Sequence, residues 1–243
     1  LSLAQVLECV NDLAVLHAWC LKHQGEWEPK FNRQSKEEIN CWKAGFSGVN
    51  KQLVEMDPVL FDQAELDQLA AWICDIDYIY ETVYKYHQGL TSVPAALSHG
   101  DFWANNILFH QNSGQLATIV DWQGSHVGNR CEDICRLLMS SCTADLRRRE
   151  TSSILSHYYR NLTKYYGSEL PFTLADVQRC YDLVTPFSVM FALYATPLVV
   201  SSSVVEGPRK ADRIAELLGR CKACIEDVKS TKPMYDEMKK RLF

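Results

Sequence analysis

The stretch that decides the fold runs Ser98-His99-Gly100-Asp101-Phe102-Trp103-Ala104-Asn105-Asn106-Ile107-Leu108-Phe109-His110. After the turn signal Asn112-Ser113-Gly114 it continues Leu116-Ala117-Thr118-Ile119-Val120-Asp121-Trp122-Gln123. Residues 106–110 and 116–120 are short runs rich in β-formers. Two such runs around Asn, Ser and Gly predict one β-hairpin. Polar residues frame it: His99 and Asp101 before it, Asp121 at its end, Glu132 and Asp133 beyond.

Outward from the hairpin the chain reads as helix. Leu3, Val6, Leu7, Val10, Leu13, Ala14 and His17 form an apolar stripe that predicts a helix over 3–23. Gly25 to Lys36, with Pro29, reads as loop, and 36–55 as a weak helix interrupted near Gly45 and Gly48. Asp62 caps a predicted long helix to Tyr86, marked by Leu66, Leu69, Ile73, Ile76, Ile79 and Val83. Residues 122–131 read as loop. Helices are predicted at 132–142, 145–166, 174–196, 209–229 and 234–242, with Pro171, Pro186, Pro197 and Pro208 as breaks or kinks. No repeat or linker divides residues 1–243. The expectation is a single mainly α (α+β) domain with one embedded hairpin.

Composition narrows the function classes. The 243 residues are 47% hydrophobic and 23% charged, an ordinary globular balance. Unbroken apolar runs such as the one at Val199-Val200 are too short for a membrane span, so no membrane partner is expected. The net charge of −5 does not suggest a nucleic-acid binder. The basic end, with Lys239, Lys240 and Arg241, reads as a solvated helix face. Ten cysteines are scattered; Cys221 and Cys224 form a lone CxxC, and Cys131 and Cys135 a CxxxC. With no second pair at finger-like spacing, they read as buried thiols in a reducing compartment, hence a cytoplasmic protein. Residues 1–10 lack a basic segment and contain Glu8, so no signal peptide is predicted. The chain starts at Leu1 rather than Met and is expected to be a piece of a longer protein, a natural truncation being the alternative.

His99-x-Asp101-x-x-x-x-Asn106 has the spacing of a phosphotransferase catalytic loop. Phosphoryl transfer needs an in-line hydroxyl and cations that neutralise the phosphate oxygens. Asp101 is suited to accept the proton of the attacking hydroxyl. Asp121 offers a hard anionic oxygen to Mg²⁺ and Asn106 a neutral carbonyl oxygen. Singly, Asp101 could cap a turn, Asn106 could enter a strand and Asp121 could form an Asx turn; together they point to catalysis. His99 and Asp133 are expected to support the loop structurally. Trp103 and Trp122 are expected to pack, and His126 to be a solvated loop histidine. The functional stretch thus divides into a catalytic loop (98–106), a hairpin (106–121) and a metal-binding loop (121–133).

His99 to Leu108 resembles the signature of the aminoglycoside-phosphotransferase and choline-kinase-like superfamily. Trp103 and the doubled Asn105-Asn106 look more like its ecdysteroid-kinase-like (CHK kinase-like) branch. Residues 119–123, 126–129 and 132–137 continue the likeness, and residues 13–18 resemble the helix after the hinge. The resemblance implies a protein-kinase-like C-terminal lobe and an ATP- and Mg²⁺-dependent transfer to a small-molecule alcohol. Asp101 is then the catalytic base, and Asn106 and Asp121 are the metal ligands. No Gly-rich loop, strand lysine or partner glutamate precedes Leu3, so the N-terminal lobe is absent from the chain. The alternative expectation is accordingly an inactive, truncated kinase-like scaffold. Residues 1–243 alone are expected to bind Mg-ATP negligibly and to self-associate through the face where that lobe docks, bordered by the helix at 3–23. The aromatic residues of 140–200, among them Tyr158, Tyr181, Phe187, Phe191 and Tyr194, read first as core. Any that line a pocket suit an apolar alcohol better than a polycation.

Overall fold

Ser2 starts the first helix, α1 (Leu3–Lys22), with a capping box: its hydroxyl accepts the Gln5 N–H, and the Gln5 side chain accepts the Ser2 N–H. The computed structural model to which α1 belongs describes residues 1–46, 48–85 and 92–242. The buried stripe of α1, including Val6, Val10, Leu13 and His17, packs along the later helix α8 (Ala144–Tyr166). The segment expected as loop holds a short helix, α2 (Gln24–Trp27), and a 3-10 turn, Glu28–Lys30. Buried Trp27 anchors it, its indole donating to the Cys20 carbonyl at 2.9 Å. Helices α3 (Lys36–Phe46) and α4 (Val49–Met56) follow, α4 starting after Gly48 at φ 93°.

The long helix expected from Asp62 is broken. α5 (Gln63–Ile73) has its Asp62 cap, then ends at Cys74. Asp75, in extended conformation, caps a new helix, α6 (Ile76–Ile79), by accepting the Tyr78 N–H. The apolar period crosses the break because both segments face one core. α6 widens into a π-turn over Tyr80–Tyr84, closed by Lys85 N–H to the Tyr80 carbonyl at 2.7 Å. Three carbonyls of this turn are bonded from outside. Thr82 accepts from the Asn129 side chain, Val83 from the Asn129 N–H at 2.8 Å, and Tyr84 from Arg33. Tyr86 lies outside the described residues.

The predicted hairpin is present as β2 (Ile107–Phe109) and β3 (Leu116–Ile119), Ile107 facing Ile119. A second two-stranded sheet was not expected: β1 (Ala96–Ser98) pairs antiparallel with β4 (His126–Gly128), inside the supposed loop 122–131. Three-residue strands show no period, and their pairing is settled by partners far away in sequence.

Helices α7 (Glu132–Ser141), α9 (Leu174–Val200), α10 (Lys210–Val228) and α11 (Lys232–Leu242) complete the chain. α9 packs against α7, α10, α8 and α5. Pro186 and Pro197 lie within it and do not end it. Each proline costs a helix roughly 3 kcal/mol, a loss that packing on several neighbours offsets here. By length and composition α9 could cross a membrane, which a search for unbroken apolar runs overlooks; 67% of its most apolar window is buried inside the fold. The architecture is mainly helical, with a loop, hairpin, acid and helix in series. This is the series of elements expected from residues 98–133.

Candidate active site

The loop after β1 is held from below by Asp133, in the first turn of α7 and 1% exposed. Its carboxylate accepts the His99 N–H at 2.7 Å and the Gly100 N–H at 3.0 Å. Burial, then the neighbouring Glu132, pushes the Asp133 carboxyl up from its ordinary range, and the two N–H bonds pull against that shift. His99 ties the loop to the hairpin. Its Nδ1 accepts the Asp101 N–H at 3.2 Å, so Nε2 carries the proton donated to the Val120 carbonyl at 2.9 Å. That pair of bonds selects one neutral tautomer.

Gly100 has φ 83°, and a Cβ there would lie 2.3 Å from the Gly124 carbonyl oxygen. Backbone conformation and close approach both demand glycine. The loop after β1 and the turn after Asp121 are therefore interlocked backbone to backbone.

Asn106 closes the loop. Its side-chain amide donates to the Asp101 carbonyl at 2.9 Å and to Asp101 Oδ2 at 3.0 Å. With the nitrogen so used, the side-chain carbonyl is the atom left for a cation. Val120 N–H donates to the Asn106 carbonyl at 2.9 Å, so Asp121 leaves the hairpin beside Asn106. Asp121 has φ 65° and ψ 56°, the one non-glycine residue at positive φ among the described residues. Such a conformation is uncommon outside glycine and collects at functional sites. The Asp121 side chain is exposed and Asp101 half-buried. The structure thus brings Asp101, Asn106 and Asp121 to one root of the hairpin, with His99 and Asp133 beneath.

His126 departs from the solvated loop histidine expected of it. It is 2% exposed, with Nδ1 2.9 Å from the Gly124 carbonyl and Nε2 2.9 Å from Glu132 Oε2. Both partners are acceptors, so both ring nitrogens donate and the ring is an imidazolium. Burial alone would lower its pKa, but Glu132 and the Gly124 carbonyl reverse that and hold it up to about 9. Arg136, one turn along α7, is also buried, with its guanidinium carbon 3.7 Å from the centre of the Phe191 ring and Nη2 3.3 Å from the Gly100 carbonyl. Sequence reasoning missed both. Their only signal was polarity near the start of an apolar helix, which a solvated face would also give.

A cavity of about 370 Å³ opens beside Asp101, with Tyr84, Trp103, Arg136, Phe191 and Tyr194 among its walls. Of the aromatics expected in the core, Tyr158, Tyr181 and Phe187 are buried there, whereas Phe191 and Tyr194 face this cavity. Trp122 packs against His99, with ring centres 4.6 Å apart, and donates to the Ile119 carbonyl.

Comparison with known proteins gives a family, two relatives and one solved structure. The family model described as "DUF1679: Uncharacterized oxidoreductase dhs-27" matches residues 6–235. The Caenorhabditis elegans protein named uncharacterized oxidoreductase dhs-27 is 26% identical, over 81% of this chain and 26% of its own length. The uncharacterized kinase-like protein D1044.1 of the same organism is 29% identical, over 37% of this chain and 23% of its own length. The chain therefore spans about a quarter of the length of the curated relatives it matches. A crystal structure of a provisionally assigned aminoglycoside phosphotransferase from Ralstonia eutropha aligns with 93% of this chain and 65% of its own, at 14% identity and a TM-score of 0.46. The family match extends through nearly all of the described helices and the whole loop–hairpin–acid site, and the chain belongs to the DUF1679 family.

Proposed function

We propose that the chain is the catalytic C-terminal lobe of an ATP- and Mg²⁺-dependent phosphotransferase that acts on a hydroxyl of a small molecule. The observation that carries this reading is the convergence of Asp101, Asn106 and Asp121 at one hairpin root, with the Asn106 amide bonded to Asp101. The donor set fits the chemistry: the exposed Asp121 carboxylate and the Asn106 side-chain carbonyl are oxygen ligands of the kind Mg²⁺ takes, and beside them the half-buried Asp101 carboxylate is a proton acceptor. Magnesium bound there would neutralise charge on the phosphate being transferred. The Asn106 carbonyl and the Asp121 carboxylate would hold it.

Asp101 orients the acceptor hydroxyl and takes its proton at a carboxylate oxygen. The Asn106 amide fixes the rotation of that carboxylate. His99 and Asp133 hold the loop backbone, so that Asp101 does not drift as charge develops. The name oxidoreductase belongs to a relative of which this chain spans 26%. The residues gathered here are a proton acceptor and oxygen ligands, which suit phosphoryl transfer. The ecdysteroid-kinase-like branch is the finer form of the proposal, supported by Trp103 and Asn105-Asn106.

The test is ADP release by the full-length protein over a panel of alcohols, with Mg²⁺ present and withdrawn. Turnover that requires Mg²⁺ and is lost in Asp101→Asn and Asp121→Ala supports the reading. Turnover indifferent to both substitutions overturns it.

A further inference from the structure

A second cavity, about 310 Å³, lies between α7, α9 and α10. Trp103, Ser140 and Ala195 line both it and the cavity beside Asp101, so they form the partition between the two. Its walls are largely apolar, Met139, Ala192, Val199 and Leu217 among them. Two of its lining residues carry buried donors with no acceptor: the Trp103 indole N–H and the Arg220 Nε–H. A buried donor without a partner is costly, and a site that holds a ligand oxygen is one way such a group persists. The charge on the two cavities argues against a cationic ligand. With His126 already answered by Glu132, the lining of the two cavities sets the three guanidinium groups of Arg136, Arg213 and Arg220 against the carboxylates of Asp101 and Glu216.

We propose that the two cavities form one acceptor site divided by Trp103, which takes an elongated, largely apolar, non-cationic alcohol bearing a second oxygen. This rests on the phosphotransferase reading above. The reacting hydroxyl sits at Asp101, the apolar body crosses Trp103, and the far end fills the space between α9 and α10. Trp103 is then the specificity-determining residue, because it touches both halves. Each cavity alone is at the small end of ligand sites, whereas the pair has room for a drug-sized molecule.

The experiment uses the full-length protein and three series of probes: α,ω-diols of increasing length, 1-alkanols of matched length, and trimethylammonium alcohols of matched length. For the diols, kcat/KM is expected to rise about threefold to fourfold per added methylene until both cavities are filled. Ala192→Phe, which fills only the far cavity, should stop that rise early and cost the longest diols most. Val199→Phe, on a half-exposed part of α9, repeats the test should Ala192→Phe fail to fold. Trp103→Phe keeps an aromatic wall but removes the N–H, and should cost the diols about tenfold more than the 1-alkanols. The trimethylammonium series should be the poorest.

Equilibrium dialysis of the longest diol without nucleotide gives a readout apart from turnover. Its binding should weaken in Ala192→Phe. Turnover with no length dependence, an equal loss on all lengths in both filling variants, or diol binding unchanged by them overturns the divided site and leaves the kinase reading standing. Length-dependent binding that both filling variants weaken, with no turnover of any alcohol, supports the divided site and overturns the kinase reading.

Discussion

The loop region from Ser98 to Asp133 and the helical region around α9 and α10 solve opposite problems. In the first, the polar groups that hold the loop are paired: His99, Asp101, Asn106, His126 and Asp133 all have named partners, and Gly100 meets Gly124 with no room for a methyl group. In the second, a cavity stands open and the Arg220 Nε donor is left unanswered, as is Nε1 of Trp103 on the loop that walls the cavity. The chemistry proposed for the first gains from a loop held at many points, since a small displacement of a reacting group is expensive. A region that accommodates a ligand keeps unmet bonding capacity until the ligand arrives. Trp103 is where the two meet.

The contrast can be broken most forcefully at Asp101. Asp101→Asn in the full-length protein should lower kcat about 10²–10⁴-fold with little change in nucleotide affinity, the usual scale for a general base. Steady-state kinetics checks this, and a loss under about threefold would remove Asp101 from the role.

Next is the ion pair beneath the loop. His126→Ala leaves the buried Glu132 carboxylate without its cation and should cost about 3–5 kcal/mol, read by denaturant unfolding. The pH dependence has a definite sign. The folded-state pKa of His126, about 9, lies above that of a free histidine, about 6.5. Its contribution is therefore complete below about pH 6.5 and is lost as pH rises toward 9, a fall of about 3 kcal/mol. His126→Gln should flatten that slope; an unchanged slope would assign it to another group.

Gly100→Ala should be smaller but distinct. The strained backbone and the clash with Gly124 should cost about 2–3 kcal/mol and displace the loop, so that kcat falls while the helices keep their circular-dichroism signal. Of the two metal ligands proposed, Asp121→Ala should weaken Mg-nucleotide binding more than Asn106→Ala, because an anionic oxygen contributes more to a hard cation than a carbonyl does. Calorimetry gives the order, and the reverse order would show the site misassigned. The smallest effect should come from the under-bonded side: Arg220→Met, which removes an incompletely satisfied guanidinium, should change stability by no more than about 1 kcal/mol. A large loss there would erase the distinction between the two regions.

The sequence revealed elements whose signal is local. The stripe of α1, the Asp62 cap and the β2–β3 hairpin all announce themselves within a few residues. The grouping of Asp101, Asn106 and Asp121 was legible for the same reason, since one hairpin spans the interval. What escaped was non-local. β1 and β4 pair across the whole hairpin, and α5 and α6 share an apolar period that hides the Asp75 cap between them. His126 owes its charge to a glutamate on the next helix and a carbonyl in the preceding turn. The cavity beside Asp101 draws its walls from Tyr84, Trp103, Arg136 and Phe191, which no window of sequence contains together.

The π-turn at Tyr80–Tyr84 has a consequence in time as well as in space. Its carbonyls are handed to Asn129, whose backbone N–H is bound to Val83 at 2.8 Å in a residue 0% exposed. Such an amide exchanges with solvent only when the segment around it opens, so its deuterium uptake serves as a clock for the support beneath the loop after Asp121. Amides at the exposed hairpin tip around Gln111 and Asn112 should exchange early, and that of Asn129 among the last. If a ligand at the site tightens the loop, the Asn129 clock will slow although no atom of the ligand touches it.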